Sequence, residues 1–232
     1  MITLTIYPES FGEPSASPFC TKALCMLKTT GLAFQIDESP DPRKAPKQKL
    51  PMIEHDGHII PDSEQIREHI EAAADHDFNA GLSDEQRGVA DAVTRMLEEH
   101  FYFAVVADRW ANDANWAHVK KAFFSDIPAL LRPIITRSIR KQALGQLNGQ
   151  GIGRHSEAER FGRARRDVVS IRTILGDKPF LFGDAPTAAD YTAVPMLRAS
   201  IATPVPTMLS DFIRGEDKIM SYLERGKEAL YP

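Results

Sequence analysis

The sequence predicts an α/β N-terminal domain followed by an all-α C-terminal domain, and three observations carry that reading. Ile2 to Tyr7 alternate apolar and polar side chains in β-branched company, the period of a half-buried strand. Met52–His55 and His58–Ile60 flank Asp56-Gly57, a two-residue turn suited to a hairpin. Beyond residue 83 the apolar spacing is helical, and Ser83/Gln86, Ser156/Glu159 and Thr187/Asp190 have the spacing of capping boxes that open helices. The boundaries expected are 1–76 for the first domain, 77–83 for a linker and 84–232 for the helical domain.

In chain order, the strand over 2–7 runs into a loop, Pro8 to Ala16, rich in Pro, Ser and Gly. From Pro18, the spacing of Cys20, Leu24 and Leu27 before Gly31 fits a helix that ends on a glycine. Ala33 to Ile36 is a second short strand. Asp37 to Lys49 holds three prolines and many charges, so a helix there is short or absent. After the hairpin, Asp62 opens a helix with Gln65 in a near-capping-box position. In the second half Val89, Val93, Met96, His100, Phe103, Ala107 and Trp110 alternate spacings of four and three, which predicts one long buried face. Phe161, Ala164, Val168, Ile171 and Leu175 repeat that pattern. Gly149 to Gly153 (GQGIG) lacks the spacing and the preceding strand of a dinucleotide fingerprint and reads as a turn between helices.

At 232 residues, with 43% apolar and 26% charged side chains, the composition is that of an ordinary globular protein. A net charge of −4 argues against nucleic acid or an anionic membrane as the main partner. The longest apolar run, Phe101 to Ala107, is too short to span a bilayer, and Met1 leads straight into the first strand, so a cytoplasmic location is expected. Cys20 and Cys25 lie five apart on one helix and cannot easily bridge, which fits a reducing compartment.

The candidate chemistry centres on Ser17-Pro18-Phe19-Cys20, where strand gives way to helix. Unpaired N–H groups and the positive end of the helix dipole bias a hydroxyl or thiol there toward its anion, although Ser-Pro is also a plain helix opening. The pattern resembles the C-P-x-C turn of thioredoxin-like proteins, with Ser17 and Cys20 in the cysteine positions. Together with Leu50-Pro51-Met52 and Asp62-Ser63, it resembles the glutathione transferases. MLEEHFYFAVVADRW (Met96–Trp110), GQGIGRHS (Gly149–Ser156) and FLFGDAPTAAD (Phe180–Asp190) narrow the likeness to the subgroup of failed-axon-connections proteins and metaxins, which has bacterial members.

That resemblance covers Ile2 to Pro232 and implies a glutathione transferase fold, a thioredoxin-like domain joined to a helical one, with glutathione as cosubstrate and no metal. It implies that Ser17 holds the glutathione sulfur, with Ser15, Cys20 and Tyr7 as alternatives. Pro51 would be a cis-proline whose predecessor, Leu50, pairs by its main chain with the cysteinyl part. Asp62 and Ser63 would hold the γ-glutamyl group, and Lys49 would approach a carboxylate. Tyr102, Phe103, Arg109 and Trp110 are candidates to line the pocket of a hydrophobic electrophile, or else pack the core. A homodimer is expected from the family alone. Three activities stay open: thiolate attack on an electrophile, a non-catalytic glutathione-binding or adaptor role of the metaxin type, and thiol–disulfide exchange through Cys20. Cys25 and His100 read as core residues, and His55 and His58 as solvated turn residues.

Overall fold

Strand β1 (Ile2–Ile6) is the centre of the first domain in the computed structural model, which describes residues 1–125 and 127–232. It pairs in parallel with β2 (Phe34–Glu38) and antiparallel with β3 (Met52–His55), and β3 pairs antiparallel with β4 (His58–Pro61), giving the order β2-β1-β3-β4. The alternation of β1 puts Ile2, Leu4 and Ile6 on one face, all buried, with Ile53 in register beside Leu4. Helices α1 (Pro18–Thr30) and α2 (Ser63–Ala74) cover that face. The other face carries Thr3, Thr5, Gln35, Asp37 and Glu54. Only a single 3-10 turn, Pro42–Lys44, forms in the proline-rich stretch expected to resist helix formation.

The helical domain comprises α3 (Asp84–Met96), α4 (Tyr102–Trp110), α5 (Asp113–Phe123), α6 (Arg132–Gln150), α7 (Glu157–Leu175), α8 (Ala188–Ile201), α9 (Met208–Arg214) and α10 (Asp217–Leu230). The boxes at Ser83, Ser156 and Thr187 form as expected. Asp62 instead caps α2 through the N–H of Glu64 at 3.0 Å, from a backbone at φ 77°, rather than through a box with Gln65. Helix α8 is the axis of this domain, buried from Ala188 to Ser200 and packed on α1, α3, α9 and α10. Gly226 of α10 meets α8 so closely that a Cβ there would lie 2.4 Å from Val194 Cγ2.

The long face predicted over residues 89–110 is corrected by the structure. A π turn, Leu97–Phe101, joins α3 to α4 and adds one residue to the coil. From that point the buried stripe runs Val93, Leu97, Phe101, Val105 and Arg109, while Val89 is exposed and Met96, His100, Phe103 and Trp110 are half-buried. The same turn brings Glu98 into the junction between the domains.

Among the ties that cross that junction, three lie close to the loop before α1 or to the start of α2. Lys22, fully buried on α1, pairs with Glu64 and, at 2.6 Å, with Glu98. Arg109 donates to the carbonyls of Ala16 at 3.0 Å and Ala199 at 2.8 Å. Glu13, in the loop after β1, accepts from Arg198 Nε at 3.0 Å and from the Tyr231 hydroxyl at 2.8 Å.

Candidate active site

The register of the sheet gathers the three sequence motifs at one end. Ser17 follows the C-terminal end of β1, Met52 opens β3 opposite Thr5, and Pro61 closes β4 opposite Met52. Hence the start of α1, the Leu50–Pro51 bond and the start of α2 are neighbours. The Leu50–Pro51 peptide is cis, and the Pro51 carbonyl accepts from Asp62 N at 3.3 Å. Among the described residues, no hydrogen bond within the chain uses the main-chain N–H or C=O of Leu50.

Ser17 is the N-cap of α1 in an extended conformation, half-buried, and its hydroxyl makes no capping bond. Ser15 is buried and committed: its hydroxyl donates to the Tyr7 carbonyl at 2.7 Å and accepts from Ser17 N at 3.4 Å. The Cys20 thiol is fully buried beneath these groups, and burial pushes it up to about 11 against hydrogen bonds from the Tyr7 backbone, Ser17 and Ser15. Cys25 is likewise pushed up to about 12 by burial, and both cysteines are free. Burial raises the Tyr7 phenol as well, reinforced by Cys20, Tyr102 and Asp41.

Asp62 and Ser63 take the N-cap and first position of α2, where the N–H ends favour an anion. Ser63 is buried, whereas Asp62 lies at the surface 3.8 Å from Lys47. Lys47 is thus the cation beside Asp62, and both Lys47 and Lys49 are exposed. Glu98 approaches the same place from the helical domain; burial raises its carboxyl, Lys22 opposes and Asp62 adds to the rise. The pairing of Lys22 with Glu98 escaped the sequence because a helical lysine reads as solvated and its partner lies 76 residues away. A cleft of about 270 Å³ beside Leu50 and Met52 is lined also by Asp37, Asp41 and Lys44.

Of the four electrophile-pocket candidates, Tyr102 and Arg109 reach the start of α1. Tyr102 packs edge-on against Phe19 with centroids 4.8 Å apart, and Phe103 packs against Tyr102 at 5.4 Å. Burial raises the Tyr102 phenol, Arg109 opposing, so the hydroxyl is protonated at neutral pH. Arg109 lies 5.7 Å from the Phe11 ring, and its buried Nε has no partner among the described residues. Trp110 points elsewhere, into a cluster with Trp116 at 5.3 Å and with Phe123 and Phe124, which reaches back to Phe11 through Phe123 at 5.8 Å.

Of the histidines, His58 is exposed at the turn as expected, whereas His55 meets His69 across 2.9 Å between ring nitrogens; His100 is half-buried and satisfied by Asp167 at 2.6 Å. Among the described residues, no group of three or more His, Cys, Asp or Glu is placed to hold a metal ion, and no helix is long and apolar enough to cross a membrane.

With this geometry in hand, similarity to known proteins is informative. The glutathione S-transferase N-terminal domain model matches residues 18–115 and the C-terminal domain model matches 164–226. The isoprene-epoxide–glutathione S-transferase of Rhodococcus sp. (strain AD45) is 30% identical over 232 residues, with 97% of each chain covered. Failed axon connections of Drosophila melanogaster is 29% identical over 94% of this chain and 55% of its own length. A Metaxin-1 homolog of Caenorhabditis briggsae is 27% identical over 88% of this chain and 65% of its own. In fold, glutathione transferase GSTFuA3 of Phanerochaete chrysosporium superposes with a TM-score of 0.66 at 17% identity, covering 100% of this chain and 98% of that one.

Proposed function

The chain belongs to the glutathione S-transferase family, and from that membership we propose that it binds glutathione at this end of the sheet and uses Ser17 to hold its sulfur as a thiolate. The observation that carries the assignment is the Ser17 hydroxyl: it sits at the N-terminus of α1 without a capping bond. It contacts the buried Cys20 thiol and is otherwise half-exposed, whereas its rivals are buried and bonded or hard to ionise. Ser15 is bonded to Tyr7, and Cys20 and Tyr7 are raised by burial. Leu50 offers a main-chain N–H and C=O to the cysteinyl unit, and the start of α2 offers Ser63 and an N-terminal N–H set to the γ-glutamyl carboxylate. Asp62 faces its ammonium.

The electrophile we propose is an epoxide, the class named for the Rhodococcus relative. On binding, the glutathione thiol loses its proton to solvent. The thiolate attacks ring carbon, a C–S bond forms, the C–O bond breaks, and the oxygen takes a proton from the Tyr102 hydroxyl, which solvent restores. Arg109, fixed behind Tyr102, favours the charge that develops on that oxygen.

Ser17→Ala should lower kcat/KM for glutathione plus a short-chain epoxide by about 10²–10³-fold, the range for loss of a preorganised donor to a developing anion. Unchanged turnover in that variant would overturn the role of Ser17. The relatives named metaxin and Failed axon connections favour a second reading, a non-catalytic module. Calorimetric titration with turnover assays separates the two: glutathione binding without turnover favours a non-catalytic glutathione-binding module, and absence of binding at about 10 mM, weaker than about 3 kcal/mol, leaves an adaptor.

A further inference from the structure

Charge is segregated in this chain. Residues 114–156 hold seven Lys and Arg against one acid, Asp126, in a protein whose net charge is −4. This stretch forms α5, the following loop and α6. Arg140 of α6 reaches Asp113 at the start of α5 at 2.6 Å, and Arg132 at the start of α6 donates to the Ser125 carbonyl beyond the end of α5 at 2.7 Å. The two helices therefore run antiparallel, and the described residues between them, 124–125 and 127–131, lie at the tip of a lobe.

That tip is apolar and exposed. Leu130 is 91% exposed, Ile134 70% and Leu131 52%. Lys120 and Lys121 on the last turn of α5 are exposed beside it, and Arg137 and Lys141 are exposed further along α6 toward the base. Exposed leucine and isoleucine at the tip of a lobe whose flanks carry exposed lysine and arginine have the chemistry of a surface that enters the headgroup region of an anionic bilayer. The rival occupants fit less well. A second copy meeting this lobe across a two-fold axis would set like charge against like. Nucleic acid would suit the lysines and arginines but leave the leucines against phosphate. We infer that the α5–α6 lobe docks this protein on an anionic lipid surface. The low net charge of the whole chain masks the lobe because the acids lie elsewhere.

The position of the lobe gives the docking a use, which rests on the proposed transferase activity. The Trp110, Trp116, Phe123 and Phe124 cluster packs along α5 up to the tip and touches Phe11, which lies beside Arg109, itself bonded to Ala16 next to Ser17. An apolar electrophile dissolved in the bilayer would then be delivered beside the site.

The test is co-sedimentation of the full chain, without glutathione, with phosphatidylcholine vesicles and with vesicles containing about 30% phosphatidylglycerol. Binding to the anionic vesicles alone, reduced by added salt, is expected. Arg137→Ala with Lys141→Ala should weaken it by about 25-fold, on about fivefold per basic side chain at the surface. Leu130→Ser with Ile134→Ser should weaken it by about tenfold or more. Both pairs are exposed, so unchanged melting temperatures check that the fold persists. No binding to anionic vesicles, equal binding to both kinds, or binding unaffected by both double variants overturns the inference. So does concentration-dependent self-association in sedimentation velocity that the Leu130/Ile134 variant abolishes while vesicles are ignored. Because the assay needs no catalysis, its failure is distinct from failure of the transferase reading.

Discussion

Individual side chains here are governed by burial more than by their neighbours in sequence. Cys20 stands where a reactive thiol would be sought, yet burial holds it up to about 11. A thiol reagent at about pH 8 should therefore label neither cysteine in the folded protein and both in denaturant; rapid labelling of the native chain would refute this. Asp108 makes a second case. It accepts from the Thr207 hydroxyl at 2.6 Å, and burial raises its carboxyl to about 6. Between the unfolded value near 4 and the folded value, the native state holds more proton than the unfolded state, so this group makes stability fall as pH rises from about 4 to 6. Asp108→Asn keeps an acceptor for Thr207 and removes the titration. It should gain roughly 1–3 kcal/mol on the parent in urea melts between pH 4 and pH 7, and parallel stability curves would contradict it. Such residues were not legible in the sequence, because nothing local marks how deeply a helical Asp will lie.

Elements were legible wherever the signal is local, and capping boxes, the Asp56-Gly57 hairpin and the glycine that ends α1 all formed as read. Their stability consequences are local too. Asp190 accepts from Leu181 N at 3.0 Å, Thr187 N at 2.8 Å and the Tyr222 hydroxyl at 2.9 Å, all buried, so Asp190→Ala should cost about 3–5 kcal/mol in chemical denaturation. Ser83→Ala, on an exposed box, should cost only about 1 kcal/mol. A comparable loss in both would mean that burial does not set the scale. The π turn is what the periodicity missed. Six apolar residues and His100 fit an unbroken helix, but one extra residue in the coil moves the inward stripe onto Phe101, Val105 and Arg109. Without it, Arg109 would not reach Ala16, and no sequence period announces such a turn.

At the scale of the molecule, the order of strands and helices gave the two-domain architecture, and the register explains why motifs at 17, 50 and 62 share one end of the sheet. What the order alone did not convey is how tightly the halves are joined. Lys22 with Glu98, Arg109 with Ala16, and Glu13 with Arg198 and Tyr231 all cross between them. Both tryptophans, Trp110 and Trp116, lie in the helical half. Urea transitions followed by tryptophan fluorescence and by far-ultraviolet circular dichroism should therefore coincide, and separated midpoints would show that the halves unfold independently. The tie at Glu13 also bears on the order in which the protein is made. The Glu13 loop leads into Ser17, and Tyr231, which fastens that loop, is added 218 residues later. At about 5–20 residues per second this leaves an interval of roughly 10–40 s. During translation the nascent chain thus carries its serine loop held at most by Arg109 and Arg198, and the bond from Tyr231 is the last of these ties to form.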